Sequence, residues 1–190
     1  MRHLLTIPIL CIAASTFAQT KKLTIEPNHS TIGFNISIAG FTKVTGKFTE
    51  YDVILDWNES HLDSCSIIAI IEVSSINTGI PDRDEHLRTA DFFDVEAYPR
   101  IEFMSTSIRK VGQGKFEADG ELSMHGVTKD ITLPFEIVKA DGNTIGMQST
   151  TIVNRLDYGV GAEFKHTSMP DFLSEEVEFV CYFWTKRRKS

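Results

Sequence analysis

The dominant period along this chain is two. From Thr31 the apolar side chains Ile32, Phe34, Ile36 and Ile38 alternate with Gly33, Asn35, Ser37 and Ala39, the pattern of a strand with one face turned to a core. Tyr51, Val53, Leu55 and Trp57 alternate in the same way with Asp52, Ile54 and Asp56. Phe116, Ala118, Leu122 and Met124 do so with Glu117, Asp119, Glu121 and Ser123, and the pattern returns at Ile131 to Ile137 and at Val177 to Phe183. The run Ile67 to Ile71 is apolar on both faces. Strand starts near Leu23, Thr31, Val44, Cys65, Arg100, Lys115, Val127, Asn143 and Glu175 predict eight or nine strands. Turn residues such as Gly112-Gln113-Gly114, His125-Gly126 and Asp141-Gly142-Asn143 divide them. Connections this short imply antiparallel neighbours, and so many strands must close into a barrel or split into a sandwich to dispose of their edges.

One segment breaks the period. Between Ile80 and Pro99 the chain reads IPDRDEHLRTADFFDVEAYP, where Asp82 or Asp84 stands in a capping position for a short helix over residues 82–90. No internal repeat, low-complexity tract or linker divides the chain, so residues 19–190 read as one domain. The first eighteen read as an export signal: Arg2 and His3, the apolar run Leu4 to Ala14, then small residues ending at Ala18, where cleavage is expected. That run is shorter than the roughly 20 residues a spanning helix needs, which predicts an exported, periplasmic or secreted protein that does not span the membrane.

The formal charge of -7 disfavours a nucleic-acid partner, and removing the leader takes away Arg2 alone among the charged side chains. The basic cluster Lys186, Arg187, Arg188 and Lys189 reads as a solvated tail. Cys65 and Cys181 remain after processing and read as buried thiols, with pairing left open.

Candidate chemistry is sparse. Asp82-Arg83-Asp84-Glu85-His86 could in principle bind a metal for hydrolysis, but its spacing matches no established motif, and Arg83 and Arg88 put positive charge where a cation would sit. An internal salt-bridge network is the simpler reading. His29, His61, His125 and His166 stand apart in turns and strand ends, and no nucleophile elbow or phosphate loop occurs. The chain is therefore read as non-enzymatic, with no catalytic residue, metal or cofactor. What stands out is apolar supply, with thirteen Phe and five Met. A barrel of about eight strands can pack its interior with such side chains or hold one small ligand, and periodicity alone leaves both readings open.

Four stretches carry a resemblance: PNHSTIGFNISIAGFTKVTGKF, DRDEHLRTADFFDVEAYPRIEF, GELSMHGVTKDITLPFEI and NRLDYGVG. Together they span nearly the whole chain after the leader, and they resemble the YceI-like polyisoprenoid-binding family. The resemblance implies an all-β, extended antiparallel eight-stranded lipocalin-like barrel. It further implies an apolar channel that carries or stores an isoprenoid lipid, such as a quinone or a polyprenyl phosphate, and a possible homodimer. The side chains expected to line the channel are Phe34, Ile36, Phe93, Phe103, Met124, Phe135, Met147, Phe179 and Phe183. Within the shared motifs Gly126 and Gly159 look like turn glycines, Pro99 ends a loop, and Arg88 and Arg155 look like partners for Asp91, Asp94 or Asp157. The alternatives are a metal-assisted hydrolase at Asp82 to His86 and a ligand-free β-sandwich.

Overall fold

The computed structural model describes residues 20–141, 144–167, 169 and 172–187. The leader read at residues 1–18 and the end of the basic tail lie outside them. Eleven strands are present among the described residues: β1 (Lys21–Ile25), β2 (Thr31–Ile38), β3 (Thr42–Phe48), β4 (Tyr51–Trp57), β5 (Ser66–Glu72), β6 (Ile76–Asn77), β7 (Arg100–Gly112), β8 (Lys115–Met124), β9 (Val127–Asp141), β10 (Thr144–Asn154) and β11 (Leu173–Arg187). One α-helix, α1 (Pro81–Arg88), falls between β6 and β7.

Hydrogen-bonded neighbours run β1-β4-β5-β7-β8-β9-β10-β11, and β11 pairs back to β1 through Leu23 with Arg187 and Ile25 with Thr185. Eight antiparallel strands thus close on themselves, as expected, and the sandwich alternative is excluded because β1 and β11 pair to complete the ring. The long strand β11 serves two partners along one edge: Thr185 to Arg187 meet β1, whereas residues between Leu173 and Tyr182 meet β2. The chain switches between these registers at a 3-10 turn, Pro27–His29. The hairpin β2–β3 and the short β6 therefore prolong the barrel beyond its eight-stranded ring.

Period-two patterning decides which side chains point inward. On β8, Phe116, Ala118, Gly120, Leu122 and Met124 are buried, while the residues between them are half-buried or exposed. At one end the interior is packed solid. The Trp57 ring meets Phe116 edge-on at 5.0 Å and Phe135 at 6.0 Å, and Phe116 stacks on Phe135 at 5.4 Å. Thr185, almost wholly buried, accepts the Ile145 N–H at 2.9 Å and donates its hydroxyl back to the Ile145 carbonyl at 3.1 Å, so its polar atom is fully matched.

The other end is roofed by α1 and the segments on either side of it. Pro81 opens the helix with a preset φ, and Ile80 occupies the capping position without a side-chain bond. The capping expectation for Asp82 and Asp84 is thus corrected. Asp84 instead accepts the backbone N–H and the hydroxyl of Thr78, upstream of the helix. The helix stops at Arg88, two residues short of the expected 90, where Thr89 turns extended and donates its hydroxyl to the His86 carbonyl at 2.8 Å.

Candidate functional site

Between the packed end and the roof lies an apolar hollow in two parts. The outer chamber, about 200 Å³, sits beneath α1 and the 92–93 and 160–164 segments. The inner chamber, about 90 Å³, lies deeper in the barrel, towards the Trp57–Phe116–Phe135 stack. Met124, Val153 and Phe179 border both.

All nine channel candidates border this hollow. Phe34, Ile36 and Phe93 face the outer chamber; Phe103, Phe135, Met147 and Phe183 face the inner one; Met124 and Phe179 face both. Strand register brings them together, with Phe34 opposite Phe179 across β2–β11 and Met147 opposite Phe183 across β10–β11. Phe34 lies over Gly46 of β3, where a Cβ would stand 2.2 Å from the ring, so only glycine lets the ring take that place. Further lining residues escaped the sequence reading. Phe48 ends a strand whose alternation is masked by Lys43 and Lys47, Phe92 follows the helix, and Phe164 and Phe172 lie outside any strand, where period two gives no direction.

Cations border the outer chamber but are bonded to the protein itself. Arg155, buried, donates Nη1 to the carbonyls of Val160 (2.7 Å) and Gly161 (2.9 Å) and Nε to that of Ser174 (2.9 Å). Burial lowers its pKa, with nearby Glu175 opposing the shift. Arg83 donates to the hydroxyl and carbonyl of Thr78, and Arg88 to the carbonyls of Ser74 and Ile76. The carboxylate partners expected for Arg88 and Arg155 are therefore corrected: both hold loops by backbone carbonyls, and Asp157 pairs with Lys129 at 2.9 Å instead. The salt-bridge network expected around Asp82 to His86 reduces to one link, His86 Nε2 to Asp91 at 3.0 Å. No three His, Cys, Asp or Glu side chains among the described residues are grouped to hold a metal ion.

The shared motif residues form a clasp at the roof. His125 Nδ1 lies 3.0 Å from the Tyr158 carbonyl, and the Tyr98 ring meets the His125 imidazole edge-on at 4.7 Å. Gly126 and Gly159 both adopt positive φ, as expected of turn glycines. The Asn154 side chain accepts the Leu156 N–H at 2.9 Å and starts the turn Arg155–Tyr158. Their geometry positions the loops that cover the outer chamber. Cys181 points into the inner chamber and Cys65 bonds near Asn58; both are free thiols, and burial pushes Cys181 up to about 12.

A closed antiparallel barrel with one packed end and an apolar hollow beneath a looped roof defines a lipocalin-like architecture. The YceI-like domain model matches residues 23–182, and the chain belongs to that family. It is 31% identical over 156 residues to a UPF0312 protein of Pseudomonas putida, covering 80% of this chain and 81% of that protein. Among solved structures, Burkholderia cenocepacia BcnA is similar at a TM-score of 0.77 and 21% identity, covering 84% of this chain and 98% of that one. A polyisoprenoid binding domain from Saccharophagus degradans, implicated in plant cell wall breakdown, is similar at 0.71 and 15% identity, covering 87% and 98%. Among the described residues no helix is long and apolar enough to cross a membrane.

Proposed function

We propose that this chain is a non-catalytic carrier that holds the hydrocarbon tail of a long isoprenoid, of quinone or polyprenyl type, inside its barrel. One observation carries the reading: a two-part hollow whose bordering cations are bonded to the protein's own carbonyls and hydroxyls, leaving an apolar wall for an apolar guest. A cavity of that kind stays dry, so filling it with hydrocarbon costs no displaced hydrogen bonds. Burial contributes about 0.8 kcal/mol per CH₂, or about 4 kcal/mol for a five-carbon prenyl unit before ordering costs. The head group stays outside. The polyisoprenoid-binding description of the Saccharophagus degradans domain is consistent with this cargo.

In this reading the chain works without metal or cofactor and is exported with residues 1–18 removed. A homodimer is compatible with it. Titration of the purified protein with solanesol, read by native mass spectrometry, tests the proposal. A saturable one-to-one complex that glycerol does not compete for is expected; absence of any complex with solanesol or with a long-chain fatty amide defeats it.

A further inference from the structure

Met124 on β8, Val153 on β10 and Phe179 on β11 border both chambers, so these three side chains stand where the outer chamber meets the inner one. We propose that these three residues are a gate that sorts cargo by tail length, a step that rests on the carrier reading above. A short tail ends in the outer chamber against the gate. A long tail must displace it to occupy the inner chamber as well.

The composition of the gate suits that role. Met124 is nearly fully buried, yet an unbranched thioether with three rotatable bonds can change rotamer without moving its strand. Phe179 projects inward on β11 opposite both Phe34 and Thr151, but is only half-buried, so its ring has free space beside it. Val153 is stiff at χ1 and buried, and supplies the fixed jamb against which the other two move. Beyond the gate, Met147, Ser149 and Cys181 line a chamber that ends towards the packed Trp57–Phe116–Phe135 stack, which sets a maximum reach. Ser149, which lines the chamber beyond the gate, gives its hydroxyl to the Pro134 carbonyl at 2.6 Å, so that hydroxyl is satisfied by the barrel wall itself.

Competition in native mass spectrometry among geraniol, farnesol, geranylgeraniol and solanesol tests the gate. With the unmodified chain the long alcohols win over the short ones. Val153→Phe fixes a ring across the opening; the long alcohols then lose on the order of a hundredfold in affinity, at least tenfold more than geraniol and farnesol lose from the narrowed outer chamber. Met124→Ala, which opens the partition, extends the preference for long tails, and it serves as the second variant should Val153→Phe fold poorly. Equal loss of short and long alcohols in Val153→Phe, together with an unchanged order in Met124→Ala, overturns the gate. Failure of the unmodified chain to bind any of the four overturns instead the carrier reading on which it rests.

Discussion

Val177→Phe separates a hollow barrel from a filled one. Val177 points inward on β11 between Ile36 of β2 and Val153 of β10, and borders the outer chamber. Where a core is tightly packed, added carbons force side chains off rotamer at a cost of about 1–3 kcal/mol. Val73, 1% exposed and bordering neither chamber, is such a place. At Val177 the added ring meets about 200 Å³ of open space instead. Val73→Phe should therefore lower Tm by several degrees, at about 2–4 °C per kcal/mol for a chain of this size, and Val177→Phe by about 2 °C or less. Cargo responds in the opposite sense. A ring in the outer chamber excludes about one prenyl unit, a gross loss of about 4 kcal/mol, or about three orders of magnitude in Kd before ordering costs are returned. At least a tenfold loss should survive that correction. Calorimetric melting of the two variants, beside solanesol titration of Val177→Phe, reads both effects. If Val177→Phe is destabilised as strongly as Val73→Phe, or binds solanesol like the unmodified chain, the hollow is not the cargo site and the reasoning fails.

Three further outcomes follow from local geometry. Gly126→Ala places a Cβ 2.6 Å from the Tyr98 ring at φ +76, and should cost about 1–2 kcal/mol or more in urea denaturation, the strain and the clash adding. Arg155→Met strips donors from the carbonyls of Val160, Gly161 and Ser174, and should cost several kcal/mol in the same assay; Arg155→Lys should not restore it, because a single ammonium cannot span that set. Cys181 is held protonated by burial to about 12 against an ordinary value of 9.0. The unfolded chain releases that proton first, so its contribution is complete below pH 9 and fades as pH rises towards 12. Cys181→Ala should flatten the alkaline fall in the urea midpoint, and an unchanged slope would remove Cys181 as its cause.

Much of this architecture was legible because period-two patterning survives wherever one face of a strand is buried. The β8 run from Phe116 to Met124 reads the same in sequence and in structure. Inward candidates on such strands, Phe34 and Phe179 among them, were found for that reason. Residues outside regular strands were not: Phe164 and Phe172 reach the outer chamber from irregular chain, where direction depends on tertiary packing alone. The arginines misled for a different reason. Sequence offers Arg88 and Arg155 several nearby carboxylates, but a buried loop carries carbonyls that must also be satisfied, and these claimed the guanidiniums. Nor could sequence reveal that β11 divides its edge between β1 and β2, because that split depends on where the chain crosses at the turn Pro27–His29.

A carrier keeps its hollow for a guest, and that occupancy can be measured. Purification of the protein from its native host, extraction with organic solvent and mass spectrometry of the extract address it directly, with Val177→Phe handled identically as the empty control. A prenyl lipid is expected in amounts stoichiometric with the unmodified chain and depleted from the variant. Equal traces of lipid in both extracts, no greater than in a mock purification, would contradict the carrier reading.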